Sequence, residues 1–287
     1  MNRLKCSVAT ACRVSMAFRM AAVAGGINSE TAAAAAQAGA DVVIVGGAIT
    51  KAIDPQAAAA DIRRALDTGK AVGSELFKRG TSENLRQVLS KVSTANVSIG
   101  THNQHSLEGM MTLWTGATAC GPAVTVRTMP GDYAKPVLAI DIAQPGDIIV
   151  IDAQGRPPAI WGDLATNSAL NKGVAGLVVE GAVRDTAEVR SLKFPVWSRT
   201  VCSHAGEPKG HGEINQPIFI SGQRICPGDW VVADDDGVMV LPAAKAVEMA
   251  NRAADVLEAE NRVRTEIREG KTTLGKVANL ERWQKHE

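Results

Sequence analysis

The 287-residue sequence predicts an α/β protein, and three stretches carry that prediction. VAGLVVEGAV, residues 174–183, is an apolar run broken by a single glutamate, the pattern of a strand buried on both faces. GDLATNSALNKG, residues 162–173, leads into it as a turn and a short helix that stops at a glycine. PGDIIVID (145–152) and PGDWVVADDDGVMVLP (227–242) echo each other, each a tight turn feeding strands.

The remaining elements follow in chain order. AAVAGG (21–26) and DVVIVGG (41–47) are apolar strands ending in glycine pairs, with an alanine-rich helix between them. A second alanine-rich helix spans Asp54–Thr68, and GKAVGSELFKRG (69–80) reads as a linker. SENLRQVLSKVSTANVS (82–98) is expected as one helix, opened by Ser–x–x–Leu rather than a capping box. From Gly121 onward short strands alternate with turns around one central helix. Ala243–Gly270 is a long helix dense in charge (Glu258, Glu260, Arg262, Arg264, Glu266, Arg268), a pattern that usually marks a solvated face. The expected division is 1–70, a linker over 71–81, and a main domain over 82–287.

Composition narrows the function. With 45% hydrophobic and 21% charged residues, a sizeable core and one or two domains are expected. Thirty-one basic and 30 acidic residues leave a formal net charge of +1, which gives no electrostatic reason to expect nucleic acid or an anionic membrane. Five Trp, four Phe and one Tyr offer little surface for base stacking. No apolar run reaches the roughly 18 residues that a membrane span needs. The N-terminal stretch carries Arg3, Lys5, Arg13 and Arg19, but polar residues interrupt its centre, so it does not read as a signal peptide. Cysteines at 6, 12, 120, 202 and 226 are odd in number and lack CxxC spacing, which fits reduced thiols in a cytoplasmic protein.

The chemistry concentrates between Gly162 and Asp185. Asp163 opens the short helix, Arg184 and Asp185 close the buried strand, and the two acids stand 22 positions apart (185 − 163). A strand exit facing a helix N-terminus gathers backbone donors, a cation and a carboxylate around a small anion. A bare Arg–Asp pair is more often a surface ion pair, so the wider pattern must decide.

That pattern resembles the RraA-like family, which includes the 4-hydroxy-4-methyl-2-oxoglutarate aldolases and oxaloacetate decarboxylases. The likeness runs through GPAVTV (121–126), PGD (130–132), AIDIAQPGDIIVID (139–152), WGDLAT (161–166), GVAGLVVEGAVRD (173–185), FPVWSR (194–199) and CPGDWVVADDDGVMVLP (226–242). It covers roughly residues 85–287, and the motifs are specific together though weak singly. The resemblance implies a compact β/β/α domain with a long C-terminal helix. It also implies divalent-metal-dependent cleavage of 4-hydroxy-2-oxo acids to pyruvate, with oxaloacetate decarboxylation. A pyruvyl enolate needs either a lysine Schiff base or a metal, and the only nearby lysine, Lys172, sits at the far end of the helix.

By the same resemblance, Asp185 is the metal ligand, and one carboxylate completed by waters suits Mg2+ or Mn2+. Arg184 addresses the developing enolate charge. Gly162, Asp163, Leu164 and Ala165 receive the substrate carboxylate at the helix start. Asp163 also grips metal waters and relays protons. The family's terminal helix lends an acid to a neighbouring subunit, matched by Glu260 or, two positions earlier, Glu258. A homotrimer or homohexamer is therefore expected. The family's namesake inhibits a ribonuclease by protein contact, so a non-catalytic regulator is the competing reading.

Ala21–Pro55 resembles the last two β/α units of a 3-hexulose-6-phosphate synthase. This implies a truncated TIM-barrel remnant in which Gly25, Gly26, Gly46 and Gly47 are inherited turn glycines. A hexulose-phosphate synthase activity is disfavoured, because a full barrel needs about 200 residues or more.

Other polar residues weigh less. His102 and His105 lie in a polar loop, although family members can carry a substrate-contacting histidine at the first position. His204 and His211, in SHAGEPKGHG, are expected to be exposed rather than zinc ligands. Asp234, Asp235 and Asp236 form a turn without EF-hand spacing. Arg199, closing the WSR run, is a candidate support for the site. Ile99 stands where many relatives have an acid, one that either caps a helix or walls the site.

Overall fold

The computed structural model describes residues 20–52, 54–74 and 80–283. The basic N-terminal stretch, Cys6, Cys12 and the middle of the expected linker lie outside them. The chain forms two compact units, Met1–Lys78 and Arg79–Glu287.

In the first unit β1 (Ala22–Ala24) and β2 (Val42–Ile44) pair in parallel around α1 (Ala32–Gln37). The short α2 (Gly47–Thr50) and α3 (Pro55–Thr68) follow. Asp54 caps α3 by accepting from the Ala57 amide, Pro55 sits at N1, and Gly69 ends the helix at φ 64°. Ala32, Ala33, Ala48, Ile62 and Ala65 make its small core.

In the second unit the helix expected over 82–98 is two helices, α4 (Leu85–Leu89) and α5 (Thr94–Gly100). The break has a local cause. Ser93 turns extended and its side chain accepts from the Asn96 amide, while Asn96 reciprocates on the Ser93 amide, a capping box that opens a second helix in the middle of the expected one. Then come β3 (Met111–Thr112), β4 (Ala119–Arg127), α6 (Ala134–Ile142), β5 (Ile148–Asp152), β6 (Ala159–Trp161), α7 (Asp163–Lys172) and β7 (Gly176–Val183). The chain continues through α8 (Thr186–Ser191), β8 (Val196–Val201), β9 (Glu213–Ile214), β10 (Ile218–Ile220), β11 (Gln223–Ile225), β12 (Trp230–Asp234), β13 (Gly237–Leu241), α9 (Ala246–Glu269) and α10 (Leu274–Val277).

The main sheet runs β13-β12-β4-β5-β7-β8-β3, with β6 on β7 and β9 on β4. Its centre, β4-β5-β7-β8, is parallel, and the flanking strands are antiparallel. Side chains alternate along β5: Ile149 and Ile151 enter one core, Ile148 and Val150 the other. Burial on both faces is why these strands read as unbroken apolar runs. The DDDG stretch is the tight β12–β13 turn, as expected.

A third cluster joins α4, α5 and α9 to Val232, Met239 and Leu241. Gly100 lets α5 approach α9 closely, since a Cβ there would lie 2.8 Å from the Ala253 amide nitrogen. The adjacent Ile99 is 50% exposed and caps nothing. Among the described residues, no helix is long and apolar enough to cross a membrane.

Candidate functional site

The strand exit and the helix start meet as the sequence suggested. Three hydrogen bonds fix the turn between β6 and α7. Trp161 Nε1 donates to Thr166 Oγ1 (2.9 Å), that hydroxyl donates to the Gly162 carbonyl (2.9 Å), and the Arg184 amide donates to the Trp161 carbonyl (3.0 Å). They register the first turn of α7 against the end of β7. Gly173 stops α7 at φ 78°.

Asp185 follows β7 at φ 54°, ψ 40°, a left-handed conformation that costs a non-glycine residue about 1–3 kcal/mol. It occupies the N-cap position of α8, yet its side chain caps nothing there. Its Oδ2 instead accepts from the Asp163 amide (3.2 Å) and pairs with Arg184 Nε (3.2 Å). This leaves Oδ1, and the terminal nitrogens of Arg184, without a protein partner among the described residues. Gly162 is obligatory for this geometry: a Cβ there would run into Asp185 Oδ2 and lie 3.2 Å from Arg184 Cγ.

These groups line a cavity of about 260 Å³ whose wall comes from four chain segments: Tyr133 and Val137, Ala159–Ala165, Arg184–Asp185, and Ala205–Gly206. The volume falls below the roughly 300–1,000 Å³ of sites for drug-sized ligands, and suits a small acid. The first-turn amides of α7, Leu164 and Ala165 among them, have no partner within the helix and supply the positive end of its dipole. Arg184 adds a formal charge beside them. The arrangement can hold a carboxylate and an adjacent oxygen that gains negative charge.

Two larger cavities carry less chemistry. One, of about 460 Å³, contains Asp234, whose carboxylate is taken up by the amide and hydroxyl of Thr94. The other, of about 410 Å³, is lined by Gln104, Ser221 and Gln223, whose side chains donate to backbone carbonyls.

The other sequence candidates lie elsewhere within one protomer. Glu260 sits on α9, accepting from Asn96 Nδ2 (3.1 Å) and pairing with Arg264 (2.7 Å). Lys172 Nζ donates to the Asp141 carbonyl, away from the cavity. His102 Nε2 lies 3.1 Å from Arg252 Nη1, and His204 and His211 are exposed. Arg199, a candidate support for the site, does not line the cavity. It pairs with Glu180 (2.8 Å) and donates to the Glu108 carbonyl and Ser221 Oγ, because β8 turns it toward the 104–109 loop. Among the described residues, no three His, Cys, Asp or Glu side chains cluster as a ready-made metal cage.

Sequence reasoning missed the Tyr133–Gly206 wall and the residue behind it. Asp132 is 2% exposed, and its carboxylate accepts from the amides of Ala134, Lys209, Gly210 and His211. Burial by itself pushes this carboxyl up, but the four N–H donors outweigh it and bring the pKa from 3.8 down to about 2. The PGD turn and the glycine-rich GEPKGHG loop were visible signals, but nothing in the sequence linked them.

A carboxyl with a lowered folded-state pKa stabilises the fold above its unfolded value, and that contribution disappears as pH falls from about 4 to about 2. Here it amounts to about 2 kcal/mol. Asp132→Asn should therefore be less stable than the wild type at pH 6, with the gap narrowing by pH 2 in denaturant titrations followed by circular dichroism. A gap independent of pH would show that the carboxylate charge is not what holds this seam.

Comparison with known proteins shows the family. A family model described as RraA-like, Aldolase/RraA, matches residues 89–240. An uncharacterised protein of Methanocaldococcus jannaschii is 36% identical over 164 residues, 56% of this chain and 78% of that one. A Halalkalibacterium halodurans protein provisionally named 4-hydroxy-4-methyl-2-oxoglutarate aldolase is 42% identical over 134 residues, 46% of this chain and 64% of that one. Among solved structures, an uncharacterised protein of Pseudomonas syringae superposes with a TM-score of 0.61 at 27% identity, covering 70% of this chain and 98% of that one. RraAS2 of Streptomyces coelicolor, described as an unusual member of the RNase ES inhibitor RraA protein family, gives 0.56 at 32% identity over 66% and 98%.

Proposed function

Because this chain belongs to the RraA-like (Aldolase/RraA) family, we propose that it is a divalent-metal-dependent carbon–carbon lyase. In this reading it cleaves 4-hydroxy-2-oxo acids of the 4-hydroxy-4-methyl-2-oxoglutarate type to pyruvate and decarboxylates oxaloacetate. One observation carries the reading. A strained aspartate at a strand exit forgoes capping its own helix and instead faces the cavity beside an arginine and an open helix N-terminus.

The donor set fits a hard cation held mainly by water and substrate. Asp185 Oδ1 has no protein partner among the described residues, and Asp163 lines the same cavity. When bound, Mg2+ or Mn2+ supplies Lewis-acid stabilisation of the enolate charge. The chain's own residues do the rest. The amides of Leu164 and Ala165, above Gly162, take the substrate carboxylate. Arg184 directs its free terminal nitrogens at the keto oxygen as charge accumulates there. In the retro-aldol direction the C4 hydroxyl loses its proton as the C3–C4 bond breaks, and C3 later regains one. Asp163 moves these protons, with Glu260 of an adjacent protomer holding water for the transfer.

The assembly belongs to the same reading. Val137, Leu138 and Ile142 of α6 and Leu164 and Leu170 of α7 are 38–76% exposed, and Val137 and Leu164 also line the cavity. Neighbouring helices that expose such residues invite a second copy, and a trimer or a pair of trimers would cover them. A monomeric mass by light scattering at full activity would count against both the trimer and the role of Glu260. We take the first unit, with its parallel β1–β2 pair, as a remnant of a β/α barrel that adds no site residue.

The test is pyruvate release from oxaloacetate. Turnover should disappear with EDTA and return with excess Mg2+ or Mn2+. Metal-independent background alone would favour the regulator reading, for which the similarity to the Streptomyces coelicolor protein is the specific support.

A further inference from the structure

We propose that Asp132 is a positioning residue whose carboxylate clamps the 204–212 loop to the start of α6 and so sets one wall of the substrate pocket. The consequence for turnover rests on the lyase reading above, whereas the clamp itself does not.

Three of the four amides that Asp132 holds belong to Lys209 (2.9 Å), Gly210 (3.2 Å) and His211 (2.7 Å), in a segment without regular secondary structure. The fourth belongs to Ala134 (3.1 Å), the first residue of α6. The loop's own side chains do little to anchor it. Its Glu207 and Lys209 side chains are 78% and 61% exposed. Its remaining ties run through its backbone: Glu207 N donates to the Gly131 carbonyl (2.8 Å) and Gly206 N to the Ala159 carbonyl (2.9 Å), while the His204 carbonyl accepts from Ala159 N (3.1 Å) and the His211 carbonyl from Thr128 Oγ1 (3.3 Å). Gly206 and Gly212 pack so tightly that a Cβ at either would run into the carbonyl of Gly131 or Arg127.

A buried anion gripped by four amides is therefore the strongest single tie across this seam. Both sides of the seam face the cavity, with Tyr133 and Val137 from one and Ala205 and Gly206 from the other. Asp132 itself is not among the lining residues and so acts through them. Losing the clamp would leave Arg184, Asp185 and the α7 amides in place while the wall drifts. A wall contacts ground state and transition state alike, so its drift should raise KM by about tenfold and leave kcat nearly unchanged.

The experiment compares the full-length wild type with Asp132→Asn, which keeps the shape but turns an amide N–H donor toward the loop. Thr128→Val is the milder second variant, because Thr128 Oγ1 bonds the carbonyls of Asp132 and His211 on the same seam. In the ligand-free proteins, amide exchange should accelerate by about tenfold or more over 205–212 while β5 and β7 stay protected. With Mg2+ and oxaloacetate, KM should rise by about tenfold while kcat changes by less than about threefold.

An unchanged exchange rate over 205–212 in both variants overturns the clamp. Faster exchange with unchanged KM overturns its role as a pocket wall, and so does equal loss of kcat and KM with global loss of protection. If the wild type itself binds neither pyruvate nor oxaloacetate by calorimetry with Mg2+, the lyase reading fails and the pocket-wall role falls with it. The exchange data then decide the clamp alone.

Discussion

Asp185→Ala should reduce magnesium-dependent oxaloacetate turnover to the background rate, because it removes the carboxylate proposed to hold the cation. Asp185→Asn is the sharper comparison. Asparagine tolerates the left-handed backbone at φ 54° and keeps the side chain's shape, so a loss there reports charge rather than backbone strain. Arg184→Lys should lower kcat by two to four orders of magnitude, about 3–5 kcal/mol of transition-state stabilisation, with a small effect on KM. Lysine keeps a positive charge but loses the planar fork, and the fork's Nε is already committed to Asp185 (3.2 Å). Wild-type turnover by Asp185→Ala in the presence of Mg2+ would remove the metal–enolate mechanism and leave the regulator reading in front.

Gly162→Ala should be almost as damaging, though it touches neither charge. The added methyl has nowhere to go except onto Asp185 Oδ2 and toward Arg184 Cγ. Relief requires the carboxylate to swing away from the Asp163 amide. A displacement on that scale lowers kcat/KM by about a hundredfold. Its overpacking cost to the fold is about 1–3 kcal/mol. The two losses should not add: on an Asp185→Ala background the clash with Oδ2 is gone and only the contact near Arg184 Cγ remains, so Gly162→Ala should then cost the fold less. Full activity of Gly162→Ala in the otherwise native protein would show that Asp185 is free to move without consequence.

What the sequence disclosed and what it concealed separate along physical lines. Local signals were legible: α7 with its Gly173 stop, the buried run of β7, the Asp54 cap of α3 and the long α9 all follow from short-range pattern. The meeting of Asp163 with Arg184–Asp185 was legible because both ends belong to one helix-plus-strand unit. The split of 82–98 was missed because Asn96, not Glu or Gln, completes the capping box. Arg199 was a candidate support from its place in the WSR run, but the pairing of β8 with β7 sets it against Glu180, a partner that no local pattern in the sequence shows. Asp132 stayed hidden because its partners are main-chain amides, which carry no side-chain signature, 77–79 positions away.

The cavity's four-segment wall has a thermodynamic corollary. Residues from 133 to 206 must all be in place before the pocket exists, so a ligand spanning it binds the folded domain and not the unfolded chain. Such a ligand raises the melting temperature by mass action, about 2.7 kcal/mol at a hundredfold excess over Kd. In a domain this size that is a shift of several degrees, roughly 2–4 °C per kcal/mol. Melting curves across a panel of small 2-oxo acids, each with Mg2+, would therefore rank substrates without any need to know the reaction they undergo.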